Sequence, residues 1–131
     1  MPVPLPPETH HYFDDPNIAT FATIEPDGRP QLSQVWVGRD GGDLLVSTVA
    51  GRRKHGNLVR DPRATVLVMD VADPYGYVEV RGTVTITEAG GRDLIDAFSA
   101  KYDGVARFPG DDGTDRVRVV VRVTPDKVVV Y

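Results

Sequence analysis

The sequence predicts a mainly β fold, a small antiparallel barrel of six or seven strands with two short helices. Two observations predict it. Apolar residues recur mostly with period two between tight turns marked by Gly, Pro and Asp, and helical spacing is confined to a basic stretch after the third strand and an amphipathic one before the last pair. A βαβ sheet would need a helix at nearly every crossover, which this chain lacks.

The 131 residues read as one domain, 1–131, of which 1–16 form an extended arm. Pro2, Pro4, Pro6 and Pro7 keep the start extended, and Glu8 to Phe13 has room for one helical turn before Asp14-Asp15-Pro16 breaks it, so the arm is expected to be loosely held. Ile18 to Ile24 reads as a strand. Glu25-Pro26-Asp27-Gly28 turns the chain, and Gln31 to Val37 pairs back. In this second strand Leu32, Gln34 and Trp36 share one face and Gln31, Ser33, Val35 and Val37 the other, so each face mixes polar and apolar groups. Asp40-Gly41-Gly42-Asp43 is the next turn, and Asp43 to Thr48 the third strand.

Beyond Pro62, Ala64 to Met69 is apolar on both faces, the mark of a strand covered on both sides. Asp70 to Pro74 turns the chain into Tyr75 to Ile86, where Val78, Val80, Val84 and Ile86 oppose Tyr75, Tyr77, Glu79, Arg81, Thr83 and Thr85. Gly91 to Tyr102 switches to helical spacing, with Leu94, Ile95, Phe98 and Tyr102 in one stripe and Gly104 at its end. Asp103 to Thr114 is rich in Gly and Asp and reads as an ordinary surface loop, the alternative being a flap over a site. Val117, Val119, Val121 and Val123 oppose Arg116, Arg118 and Arg122, after which Pro125 turns the chain and Lys127 to Tyr131 forms a last strand. Ala64 to Met69 and the terminal valines are more apolar than a lone barrel needs, which points to a homodimer that hides them.

Composition narrows the function. The absence of cysteine excludes disulfides, thiolate catalysis and cysteine-bound zinc. A net charge of −4 argues against nucleic acid as a partner, and no apolar run approaches a membrane span or a signal peptide, so the expected location is cytoplasmic. There is no Walker loop, no G-x-S-x-G elbow, no H-E-x-x-H helix and no G-x-G-x-x-G. His10 and His11 form either a solvated pair or half of a metal site, and His55 lies in the basic turn, either at the surface or against an anion. Asp61 and Asp70 read as element-end residues rather than as a catalytic pair.

The most informative stretch runs from Ser47 to Pro62. A strand ends at Ser47-Thr48, Gly51 permits a sharp turn, and Arg52, Arg53 and Lys54 fall in the first turn of a short helix that Pro62 terminates. Cations are misplaced there, because the helix dipole puts partial positive charge at that end. An anion docked on the turn would reverse the penalty, drawing on free backbone N–H groups, the three cations and the two hydroxyls. The alternative is a solvated basic helix.

Three segments, Ile18-Ala19-Thr20-Phe21-Ala22-Thr23-Ile24, Asp27-Gly28-Arg29-Pro30-Gln31-Leu32-Ser33 and Arg52-x-Lys54-x-x-Asn57-Leu58-x-x-Asp61-Pro62-Arg63-Ala64, resemble the flavin and deazaflavin oxidoreductases of the pyridoxamine 5′-phosphate oxidase-like split-barrel superfamily. The likeness spans roughly residues 10 to 131 and is strongest to the small branch that uses the deazaflavin coenzyme F420. It implies a split barrel, and a homodimer with two cofactor sites at the subunit interface. It implies an oxidoreductase that passes hydride from reduced F420 to a small electron-poor organic acceptor. By this resemblance Arg52, Arg53 and Lys54 bind the cofactor phosphate with Ser47, Thr48 and Asn57, while Gln34, Val35 and Trp36 lie along its ring. Tyr75 and Tyr77 reach the neighbouring subunit's site. No catalytic side chain and no metal ligand is implied, since the cofactor carries the chemistry. The chain stops at Tyr131, where true pyridoxamine phosphate oxidases continue into a substrate-binding segment, so that activity is not expected. FMN is the alternative cofactor, and a non-catalytic flavin or deazaflavin carrier the alternative function. A haem-binding split barrel is a further one, which the lack of histidine in the barrel strands disfavours.

Overall fold

Seven antiparallel strands make one curled sheet in the computed structural model, which describes residues 1–131. They are β1 (Ala19–Ile24), β2 (Pro30–Val35), β3 (Val37–Asp40), β4 (Asp43–Val49), β5 (Arg63–Met69), β6 (Tyr77–Thr87) and β7 (Arg118–Val130). Three helices join them: α1 (His10–Asp14), α2 (Arg53–Arg60) and α3 (Gly91–Asp103). The strand order is β2-β1-β5-β6-β7-β4-β3. Strands β2 and β3, separated in the chain only by Trp36, therefore stand at opposite ends of the sheet, and no ladder joins them. The sheet curls into a split barrel whose seam the chain crosses at Trp36.

The expected second strand, Gln31 to Val37, is thus two strands. Side chains of α3 tie down the crossing. The Tyr102 hydroxyl accepts the Val37 N–H at 3.0 Å and donates to the Asn17 carbonyl at 2.6 Å. The Lys101 ammonium donates to the carbonyls of Val37 at 2.6 Å and Phe13 at 2.5 Å. Burial lowers the Lys101 pKa and raises that of Tyr102. Buried backbone groups need such partners, and those of Val37 find them on side chains sixty-odd residues away.

The interior follows the period-two pattern. Phe21, Leu44, Val46, Val66, Val68, Val78, Val80, Val119, Val121 and Val123 all point inward and are buried. Each fully buried side chain of this kind contributes roughly 1.5–3 kcal/mol. Gly51, Gly90 and Gly104 hold left-handed backbone at the helix boundaries, and α3 ends at Gly104 as expected.

Two expectations are corrected. The N-terminal arm is not loosely held: Leu5, Thr9, Tyr12 and Phe13 are buried, Val3 N–H bonds to the Pro125 carbonyl at 2.9 Å, and α1 seats Phe13 in the core. Its prolines obscured an inward-facing Tyr-Phe pair. Pro125 does not turn the chain either. Strand β7 runs unbroken past it, and the register against β6 shifts between Arg81 and Gly82, so that Gly82 faces Pro125, Arg81 faces Lys127 and Asp126 is the extra residue of a bulge. A Cβ on Gly82 would collide with the Thr124 carbonyl oxygen, which explains the glycine.

On β5, Ala64, Val66 and Val68 face the core, while Thr65 and Leu67 are half-buried and Met69 exposed on the outer face. The two-sided apolarity thus resolves into one core face and one outward face.

Candidate functional site

A cleft of about 350 Å³ opens at the seam. The chain crossing supplies Val35 and Trp36, β4 supplies Ser47, the start of α2 supplies Arg52 and Lys54, α3 supplies Phe98, and the start of β7 supplies Arg118. The cleft is lined by both cations and aromatic rings.

Two of its cations, Arg52 and Lys54, are placed by the strand-turn-helix. Leu44, Val46 and Thr48 point into the core, which leaves Ser47 on the outer face, under α3. Gly51 (φ 90°) turns the chain, and its N–H is accepted by His55 Nδ1 at 3.1 Å, so His55 braces the turn. Arg52 occupies the cap position of α2 in extended conformation, with no side-chain cap, and the first-turn amides are left without intrahelical partners. Arg52 and Lys54 make no ion pair, although Arg53 pairs with Glu25 at 2.5 Å, and Arg116 and Arg118 with Asp111 at 3.4 and 2.7 Å. Burial, with Arg118 and Arg116 nearby, pushes the Arg52 pKa down. Burial, then Arg52 and Arg118, does the same to Lys54. The side chains of Ser47 and Thr48 end in buried hydroxyls with no hydrogen-bond partner. Crowded, partly desolvated cations beside an orphaned hydroxyl lack an anion, and a phosphate supplies what each of them is missing.

The aromatic side chains of the cleft are ordered by stacking. Trp36 lies parallel to Tyr102, with centroids 5.2 Å apart and planes 9° apart, and meets Phe108 edge-on at 6.1 Å. The Arg118 guanidinium lies 5.1 Å from the Phe108 ring. Gln34 accepts the Thr20 hydroxyl at 2.8 Å on the cleft rim.

Of the residues expected at a cofactor site, Gln34, Val35, Trp36, Ser47, Arg52 and Lys54 converge on this cleft. The others lie elsewhere in the chain. Thr48 points inward; Arg53 turns to Glu25; Asn57 is buried, donating to the Thr23 hydroxyl at 3.1 Å and accepting from Arg60 at 3.3 Å, so it anchors α2 to β1. Tyr75 is exposed in the turn before β6, and Tyr77 stacks on Tyr131 at 4.5 Å. His10 is tied to the Leu5 carbonyl at 3.2 Å, and His11 lies beside Tyr12.

Sequence reasoning missed Ile18, Ile95, Phe98, Phe108 and Arg118 as lining residues. Phe98 belonged to the expected apolar stripe, but a stripe does not reveal which of its members borders a cleft. Nothing in the Gly- and Asp-rich loop marked Phe108. The loop carries a 3-10 turn at Pro109–Asp111 and forms one wall of the cleft, so it is not an ordinary surface loop.

Fold and cleft together define a split β-barrel with a cleft lined by unpaired cations and aromatic rings. The sequence matches the family described as Pyridoxamine 5′-phosphate oxidase over residues 5–130. The chain belongs to that family. Among solved structures it is similar to an F420 reductase, at 28% identity and TM-score 0.84, over 95% of this chain and 98% of that one. It is also similar to a conserved hypothetical protein from Mycobacterium tuberculosis, at 25% identity and TM-score 0.78, over 99% of this chain and 86% of the other. General Stress Protein 26 from Bacillus anthracis, at 19% identity and TM-score 0.65 over 88% and 84% of the two chains, shares the fold.

Proposed function

We propose that this protein is an oxidoreductase that binds reduced coenzyme F420 in the seam cleft and passes hydride to a small electron-poor organic acceptor. The observation that carries the reading is that the unpaired Arg52 and Lys54 and the orphaned Ser47 hydroxyl line one cleft with Trp36. The similarity to an F420 reductase along nearly the whole chain supports it. When bound, the deazaflavin supplies the hydride chemistry. Arg52, Lys54 and Ser47 hold its phosphate, Val35 and Trp36 orient its ring, and the aromatic wall keeps water from the reacting face. No carboxylate or histidine lines the cleft, so the proton that completes reduction of the acceptor comes from solvent.

The protein works as a cytoplasmic homodimer in this reading. The outward face of β5 and the end of β7 leave Met69, Val130 and Tyr131 exposed, and a second copy covers them and brings Tyr75 and Tyr77 to the neighbouring cleft. Sedimentation at micromolar concentration gives twice the chain mass if this holds. A persistent monomer removes the interface site.

The test of activity is stopped-flow oxidation of bound, reduced F420 against enones, quinones and nitro compounds. Acceleration by at least one class supports the reductase, and acceleration by none leaves a carrier. FMN is the second reading, because the same cations and hydroxyl suit a phosphate monoester and the family is that of pyridoxamine phosphate oxidase.

A further inference from the structure

We propose that Tyr102, which does not itself line the cleft, is a positioning residue that sets how Ile18 and Trp36 are presented to a ring bound there. The inference rests on the proposed function, in which Trp36 orients the ring, and deepens it by naming what orients Trp36.

The seam needs such a residue, because no ladder joins β2 to β3 and strand pairing does not hold the two sides of the crossing together. Tyr102 spans it with one hydroxyl. Its Oη accepts the Val37 N–H at 3.0 Å on the β3 side and donates at 2.6 Å to the carbonyl of Asn17, just before β1, the strand paired with β2. Val37 follows Trp36 in the chain and Asn17 precedes Ile18, and Trp36 and Ile18 both line the cleft. One hydroxyl thus holds a lining residue on each side of the seam. The same side chain also supports the indole directly, its ring lying parallel to that of Trp36 with centroids 5.2 Å apart and planes 9° apart. Tyr102 is held in turn. Phe98 meets its ring edge-on at 6.3 Å, and the Lys101 ammonium, bonded to the Val37 and Phe13 carbonyls, lies 5.0 Å from the ring centroid. A site residue is only as well ordered as the groups behind it, and behind Trp36 stands a ring whose hydroxyl is committed both as donor and as acceptor. Without that support the indole can change rotamer, while Arg52 and Lys54, at the start of a different helix, stay where they are. Ring orientation and phosphate affinity are therefore separable.

Trp36 is the only tryptophan, so its fluorescence anisotropy, excited where tyrosine does not absorb, reports the order of the indole with no cofactor present. Tyr102→Leu removes ring and hydroxyl together, and a fast depolarisation of Trp36 should appear. Tyr102→Phe keeps the stack but releases Val37 and Asn17, and should fall between Tyr102→Leu and the wild type. With F420 or FMN at saturation, the ellipticity of the bound ring should collapse in Tyr102→Leu and fall part of the way in Tyr102→Phe. The calorimetric Kd should change by less than about tenfold in both, because the phosphate contacts are intact. Arg52→Ala gives the reverse, weaker binding with the wild-type ellipticity at saturation. Gly82→Ala, which strains β6, the middle strand of the sheet, leaves both optical signals at their wild-type values, so general destabilisation does not imitate the effect. Unchanged anisotropy in Tyr102→Leu, or lost anisotropy with wild-type ellipticity of the bound ring, overturns the proposal. A wild type that binds neither F420 nor FMN would instead sink the proposed function, and the anisotropy of the free protein would still decide whether Tyr102 holds Trp36.

Discussion

Asp111 and Arg118 face each other in a two-bond ion pair, Nε to Oδ2 at 2.7 Å and Nη2 to Oδ1 at 3.0 Å, with both side chains more than nine-tenths buried. The pair ties the cleft-wall loop to the first residue of β7. Removing one partner leaves the other charge buried and alone, so Asp111→Ala should destabilise the protein by about 3 kcal/mol, the low end for a broken buried pair. Hydrogen bonding from Arg118 holds the Asp111 carboxyl below the usual carboxylate range. A depressed carboxylate pKa stabilises the fold above the ordinary value, and the contribution disappears as pH falls through the lowered one. Denaturant midpoints across acidic pH should drop in the wild type and stay flatter in Asp111→Asn.

Lys54 gives the same pH dependence for the opposite reason, since in it the charged form is the disfavoured one. Burial and the neighbouring Arg52 and Arg118 lower its pKa, so the protonated form is penalised in the fold and the free protein gains stability as pH rises through the lowered value. Anion binding requires the proton. Inorganic phosphate should therefore raise the melting temperature at neutral pH and lose that effect at a lower pH than an ordinary lysine would give. Lys54→Arg should extend the protection to higher pH.

Arg53 separates the two faces of the basic turn. It is paired with Glu25 outside the cleft, and its own side chain is open to solvent screening. Arg53→Ala should leave phosphate protection and the melting temperature nearly unchanged. A loss of protection equal to that of Arg52→Ala would contradict the placement.

Gly82 sits opposite Pro125 at the β6/β7 bulge, where a Cβ would strike the Thr124 carbonyl. Gly82→Ala should cost about 1–3 kcal/mol, as overpacking of a closed interior does, and urea unfolding measures it. Gly28→Ala offers a control with open space around its Cβ, although the backbone there is left-handed and some strain remains.

The barrel was legible because alternation and turn chemistry are local. Tyr77 to Thr87 and Asp43 to Val49 announce themselves by period, and Gly104 stops α3 as a left-handed cap should. The unpaired cations of the cleft were legible because Arg52 and Lys54 stand at the wrong end of a helix. What escaped depends on distant partners. The break at Trp36 comes from Lys101 and Tyr102 binding the Val37 backbone, and no local pattern reports a contact of that range. Pro125 reads as a turn in any short window, and only the register of β6 shows that it lies within a strand beside a bulge. Arg53 and Arg52 are equivalent in sequence; Glu25, on the preceding hairpin, is what separates them.

The central claim is that Arg52 and Lys54 await a cofactor phosphate. The direct measurement is calorimetric titration of the wild type and of Arg52→Ala with Lys54→Ala, using F420 and FMN. Charge-assisted hydrogen bonds contribute roughly 1.5–3 kcal/mol each. At about 1.4 kcal/mol per decade the double variant should bind on the order of a hundredfold or more weakly. Its thermal stability without ligand should be equal or higher, because two desolvated like charges are gone. Equal affinity in the two proteins, or weakened binding accompanied by a proportional loss of fold stability, would contradict the account.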